Sequence, residues 1–212
     1  EYLGLIICPA SLVYNWENEI RRFAPSLSVV TVTGTAAVRH EKISSGEGDV
    51  LLTSYDLLKR DVEQYRDIRF QNTIIDEAQN IKNNTTQAAK AVKSVVGRQR
   101  FALTGTPIEN SLSELWSIFD FLMPGILSSN KQFRTRYEQP IAANQDERAA
   151  SRLKKMIRPY ILRRVKSEVL RELPDKIEKV VYSQMEEKQK KLYDANLQKL
   201  LASLNNQTAE EF

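Results

Sequence analysis

The chain has 212 residues, of which 42% are hydrophobic and 27% charged, with a formal net charge of +4 at pH 7. That length holds one large domain, or one domain with a sizeable appendage, and the composition supports a real core in a soluble protein. A single cysteine, Cys8, rules out an internal disulfide framework and fits a reducing compartment; no signal peptide and no membrane-spanning apolar run occur. The expectation is an intracellular protein with no membrane partner, whose mild basic excess permits nucleic-acid binding without demonstrating it.

In chain order, Glu1 to Leu5 leads straight into a strand without an initiating Met, a capping residue or a turn, and so reads as a cut inside a larger protein. Leu5-Ile6-Ile7-Cys8 is apolar and runs into Pro9-Ala10-Ser11. A helix follows with Ser11 as its N-cap, and Trp16, Ile20 and Phe23 share one apolar face, with Trp16 as a core anchor. Val29-Val30-Thr31-Val32 forms the next strand, ending at Thr33-Gly34-Thr35; residues 36–48 read as a polar helix and loop in which His40, the one histidine, is a surface residue. Val50-Leu51-Leu52 ends at Thr53-Ser54-Tyr55, before a charged helix that reaches Asp67.

Thr73-Ile74-Ile75 is a β-branched run with no polar alternation, the mark of a strand covered on both faces. Asp76 and Glu77 stand where that strand ends, and the carboxyl ends of strands in an open α/β sheet are where ligands bind. Two readings fit the pair. One carboxylate holds Mg²⁺ while its neighbour orients or deprotonates a water, or both are capping acids at a strand-to-helix turn. A helix over 87–96 stopping at Gly97, then Phe101-Ala102-Leu103 ending at Thr104-Gly105-Thr106-Pro107, completes an alternation expected of a parallel sheet with crossover helices.

Beyond Asn110 the pattern is helical. Leu112, Leu115, Trp116, Ile118, Phe119 and Leu122 predict a buried helix stopped by Met123-Pro124-Gly125, and 128–140 a polar helix ending at Pro140. Arg152, Lys154, Lys155, Arg158, Arg163, Arg164 and Lys166 then gather with no acidic residue between Ser151 and Lys166. Such a run is either a solvated face or a contact for phosphates. A short strand over 177–185 and an amphipathic helix over 186–204, stopped by Asn205-Asn206, close the chain.

Four stretches in order, PASLVYNW at 9–16, TSYDLL at 53–58, DEAQ at 76–79 and LTGTPIEN at 103–110, resemble the first motor lobe of the SWI/SNF-type helicase-like ATPases, which are double-stranded DNA translocases of helicase superfamily two. A fifth, Leu162-Arg163-Arg164-Val165-Lys166 followed by Leu173-Pro174-Asp175-Lys176, resembles the same family. Gln79 stands where many relatives carry His, and Glu109 where Gln is common. No Gly-x-x-x-x-Gly-Lys-Ser/Thr phosphate loop occurs, and the chain holds only 7 glycines. In the family that loop lies just upstream of the Pro9 motif, and the second lobe, with its arginine fingers, follows the first.

The resemblance implies an α/β RecA-like lobe over 1–125, lacking its first strand and phosphate loop, then a helical extension over 126–212 with a linker or brace and the start of a helical protrusion. It implies an ATPase as the whole protein, using ATP and Mg²⁺, with the 212 residues alone inactive. Asp76 would coordinate the metal, Glu77 would be the general base, and Gln79 would complete the nucleotide site. Thr104, Gly105 and Thr106 would couple that site to DNA, while Pro9, Ser11, Thr53 and Ser54 would touch one phosphate backbone, with Lys154 and Lys155 assisting. Arg163 and Arg164 would brace the two lobes. The implied partners are double-stranded DNA and a second lobe, with non-native self-association of the fragment as a further expectation. Location would be cytoplasmic in a bacterium and nuclear in a eukaryote. An RNA helicase of the DEAD-box kind and a non-enzymatic nucleic-acid-binding scaffold are the alternatives; Gln79 in place of Asp and the Asn15-Trp16 pair argue against the first, and the intact acidic pair against the second.

Overall fold

A computed structural model describes residues 2–105, 111–164 and 179–210. Contacts divide the chain into two units, Glu1–Ile161 and Leu162–Phe212.

Five parallel strands form the first unit's sheet in the order β2-β3-β1-β4-β5. They are β1 (Tyr2–Cys8), β2 (Val29–Thr31), β3 (Val50–Ser54), β4 (Arg69–Ile75) and β5 (Val96–Ala102). The helices α1 (Val13–Phe23), α2 (Ala36–Ser44), α3 (Tyr55–Tyr65) and α4 (Gln87–Ser94) are the crossovers between them. Alternation along the strands sends side chains to two covered faces. Leu5, Ile7, Leu51 and Ile75 enter a cluster with Ile43 of α2, Leu58 of α3 and Val92 of α4. Ile6, Cys8, Leu52 and Ile74 pack on the opposite side with Val13, Trp16 and Ile20 of α1. The α/β architecture read from the sequence is the one observed.

Gly97 does not end a helix. It lies within β5, opposite Phe70 of β4, and a Cβ there would run into the Thr73 side chain. A helix N-terminal to Gly97 stops at Ser94, and the strand begins at Val96 rather than at Phe101.

Helix α5 (Leu112–Leu122) is buried on two sides, as its apolar density predicts. Ile118 and Phe121 join the sheet cluster, while Leu115, Trp116 and Phe119 pack with Leu127, Phe133, Tyr137, Ala149 and Leu153. Leu127 lies in the turn after α5, and the other partners belong to α6 (Asn130–Phe133), a π-helical turn over Arg134–Glu138, and α8 (Glu147–Ile157). The stretch 126–157 therefore packs with the sheet-bearing unit, and the division drawn after Gly125 falls after Ile161 instead. The helix expected to end at Pro140 continues as α7 (Gln139–Asn144), which follows the π-helical turn directly and holds the proline near its start.

In the second unit, residues 179–186 carry no regular structure, so the strand expected over 177–185 is absent from its described part; 177 and 178 lie outside the described residues. Helix α9 spans Glu187–Glu210 and passes through Asn205-Asn206. Asparagine has only a modest helix penalty, which does not stop a 24-residue helix. Among the described residues no helix is long and apolar enough to cross a membrane.

Candidate functional site

The carboxyl end of β4 is clamped from both sides. The Asp76 N–H donates to Ile7 of β1 at 2.8 Å, Leu103 donates back to Ile75 at 2.8 Å, and Ala78 donates to Leu103 at 2.9 Å. The acidic pair thus sits on the sheet's carboxyl rim after the interior strand β4, flanked by the turns that follow β1 and β5.

Both Asp76 oxygens are engaged. Oδ1 accepts the Glu77 N–H at 2.8 Å and Oδ2 accepts the indole N–H of Trp16 at 2.8 Å. The Tyr55 hydroxyl donates to the Asp76 carbonyl at 2.7 Å. Glu77 has φ 52° and ψ 56°, the left-handed region that disfavours a long side chain and is held here by its neighbours. Its carbonyl accepts from the Asn80 N–H at 2.9 Å and the Asn80 side-chain amide at 2.8 Å. The Glu77 carboxylate makes no capping bond to the 3₁₀ turn Ala78–Ile81 that follows, so the capping reading of Glu77 fails. Oε2 instead accepts from Gln79 Nε2 at 2.6 Å, and Gln79 Oε1 accepts the Thr104 hydroxyl at 2.9 Å. A chain of two hydrogen bonds therefore runs from the turn after β5, through Gln79, to Glu77.

The surroundings hold the neighbours of the pair in their neutral forms. Burial, with help from the Asp76 charge, pushes the Cys8 thiol up to about 12. Burial and the same charge raise Tyr55 above its ordinary value. Cys8 is therefore a buried apolar residue and no nucleophile. Asp76 and Glu77 are themselves partly exposed, which leaves them open to a ligand on the rim.

The other predicted rim residues separate into two groups. Ser11 and Gly105 are exposed and Pro9 and Thr104 partly so, all on the turns that flank the pair; Thr106 lies outside the described residues. Ser11 makes no cap: a 3₁₀ turn over Ala10–Leu12 leads into α1, and neither element has a side-chain cap. Thr53 is 0% and Ser54 2% exposed, so neither side chain reaches solvent as expected for phosphate contacts. They end β3, which lies between β2 and β1, and the Ser54 hydroxyl accepts from Leu57 N–H to cap α3. Lys154 and Lys155 are exposed on α8, which docks through Ala149 and Leu153 and leaves Arg148, Arg152 and Arg158 in solvent. Arg163 and Arg164 are exposed in the second unit. His40 is exposed, near Gln64, as read from the sequence. Trp16, Tyr55 and Asn80 were missed as site residues. The signal that could have found Tyr55 is its position at the carboxyl end of a central strand.

An all-oxygen pair on an open rim fits Mg²⁺, which keeps most of its waters and takes one or two protein carboxylates alongside phosphate oxygens. Among the described residues, no group of three or more His, Cys, Asp or Glu gathers into a metal cage of its own. An open depression lined by Ile43, Ser44, Gly46, Gln64, Asp67, Ile68 and Arg69 is at the opposite end of the strands from this chemistry.

A family model described as "SNF2-related domain" matches residues 3–211. The TATA-binding protein-associated factor MOT1 of Saccharomyces cerevisiae is 40% identical over 202 residues, covering 90% of this chain and 11% of that protein. An uncharacterised ATP-dependent helicase, MG018, of Mycoplasma genitalium is 42% identical over 191 residues, covering 90% of this chain and 18% of that one. Among solved structures, the Sulfolobus solfataricus SWI2/SNF2 ATPase core in complex with dsDNA superposes with a TM-score of 0.72 at 40% identity, over 96% of this chain and 42% of that chain. The match thus spans less than a fifth of each of the two relatives and less than half of the solved chain.

Proposed function

The chain belongs to the SNF2-related domain family, and from that premise we propose that the whole protein is an ATP-dependent translocase on double-stranded DNA, with these residues forming part of its first motor lobe. The observation that carries the reading is the clamped pair Asp76-Glu77 on the sheet rim, joined through Gln79 to the turn at Thr104. The dsDNA complex of the similar Sulfolobus core supports DNA as the track.

When bound, Mg²⁺ neutralises charge on the ATP phosphates and aligns the terminal one for attack. Asp76 is the residue that would hold it. Glu77 accepts the proton of the attacking water at its carboxylate. Its Oε1 has no hydrogen-bond partner among the described groups, while Oε2 is held by Gln79. Thr104 and Gln79 transmit the position of the rim turn to that carboxylate. Pro9, Ser11 and Gly105 are the rim positions for DNA phosphates, with Thr106 as a further member. Arg163 and Arg164 brace this lobe against the second. No Gly-x-x-x-x-Gly-Lys-Ser/Thr motif occurs in these 212 residues, so in this reading the phosphate cradle is supplied by another part of the whole protein.

Phosphate release from Mg·ATP by the full-length protein tests the reading. Duplex DNA is expected to stimulate release and single-stranded RNA to leave it near the basal rate. Stimulation by RNA alone would move the protein to the RNA-unwinding class, and no phosphate release with either nucleic acid would leave a scaffold.

The exposed basic face of α8 adds a prediction about DNA affinity. Each phosphate neutralised on B-form duplex contributes about 0.9 to the slope of log affinity against log salt. Pro9, Ser11 and Gly105 carry no charge, so Lys154→Glu with Lys155→Glu should flatten that slope by about 2 and weaken binding equally across sequences. An unchanged slope would take α8 out of the DNA site.

A further inference from the structure

Trp16 of α1 and Asp76 lie 60 residues apart in sequence, yet the indole N–H meets Asp76 Oδ2 at 2.8 Å in a partly buried setting. An indole donates and never accepts, and it carries no charge, so it can orient a carboxylate without competing for the cation that carboxylate holds. The other Asp76 oxygen is held by the Glu77 N–H, so one donor on each oxygen fixes the carboxylate plane. Each oxygen keeps a lone pair for a ligand approaching from the rim. The ring is held in turn: Trp16 packs with Leu12, Val13 and Ile20 against Ile6, Cys8 and Leu52. Helix α1 itself grows directly from the Ala10–Leu12 turn after β1. The carboxylate is thereby tied to the rim turn at Pro9–Ser11 through one rigid side chain.

We propose that Trp16 is the positioning residue for Asp76: its N–H sets the orientation in which that carboxylate takes the nucleotide-bound divalent cation. The inference rests on the reading of Asp76 as the metal-holding residue. Partners that orient a ligating carboxylate typically change metal affinity by roughly 10- to 100-fold when lost.

The test uses the full-length protein and binding of a fluorescent ATP analogue as Mg²⁺ is titrated, which needs no turnover. Trp16→Phe removes the N–H and keeps an aromatic ring. Benzothienylalanine inserted at position 16 keeps the whole bicyclic shape and exchanges only the N–H for sulfur, so a packing defect in the Phe variant is separated from loss of the hydrogen bond. The expected result is a half-saturating Mg²⁺ concentration raised about tenfold in both proteins, with the metal-free affinity for the analogue and the melting temperature of the benzothienyl protein unchanged. A merely structural role for Trp16 would lower metal-free affinity and stability together and leave the Mg²⁺ dependence in place. An unshifted Mg²⁺ dependence in the benzothienyl protein overturns the inference. Asp76→Ala separates the two levels. If it removes the Mg²⁺ dependence while the benzothienyl protein keeps it, Asp76 holds the metal and Trp16 does not position it. If Asp76→Ala leaves the Mg²⁺ dependence intact, the reading of Asp76 falls and the inference with it.

Discussion

Glu77→Gln in the full-length protein is expected to lower the turnover number for ATP by about 10²- to 10⁴-fold, the range for removing a positioned general base, with Mg·ATP binding close to wild type. The amide has nearly the shape of the carboxylate and can still offer its oxygen to Gln79 Nε2, so the bond chain to Thr104 survives. Only the capacity to take a proton is lost. Binding is expected to persist because Asp76, with its own donors Trp16 and the Glu77 N–H, is untouched. Single-turnover phosphate release beside nucleotide binding separates the two quantities. A turnover near wild type would remove Glu77 from the base role.

Arg39→Met is expected to cost about 3 kcal/mol of stability, at the low end for breaking a buried ion pair, because the pair sits just beneath the surface. Arg39 and Asp61 are each 6% exposed, and the guanidinium meets the carboxylate through Nε at 2.6 Å and Nη2 at 2.8 Å. Its remaining Nη1 donates to the Gly34 carbonyl at 2.7 Å, so one side chain joins α2, α3 and the turn after β2. Methionine fills the space and leaves the Asp61 charge buried without a partner. At this chain length the loss corresponds to a fall in melting temperature of about 6–12 °C. Arg39→Met with Asp61→Leu should recover most of it, since the penalty lies in the orphaned charge and not in the lost attraction. A double variant as unstable as the single one would contradict that partition.

The sheet was legible because its strands are short apolar runs ending in polar turns, and parallel strands covered on both faces must look like that. Asp76 and Glu77 were legible for the same reason: two adjacent carboxylates at a strand's carboxyl end mark a rim. Strand β5 was half hidden, since Gly97-Arg98-Gln99-Arg100 has neither the composition nor the alternation of a strand. Its glycine is required by the close approach of Thr73, a contact between residues 24 positions apart. Thr53 and Ser54 misled in the opposite direction. Their hydroxyls suggested an exposed rim, but both side chains are buried, and the Ser54 hydroxyl is engaged in capping α3. The role of Trp16 was not readable either. Helical periodicity places it on the apolar face of α1, which is correct, and says nothing of the acceptor its N–H finds 60 residues later.

Whether the acidic pair drives DNA-coupled hydrolysis is read most directly from a duplex-DNA titration of phosphate release from Mg·ATP, run in parallel on the wild-type full-length protein and on Glu77→Gln. Release is expected to climb with duplex in the wild type and to stay at background in the variant, although both bind Mg·ATP. Duplex-stimulated release that survives in Glu77→Gln would contradict it, because hydrolysis would then be taking place without the acidic pair on this rim.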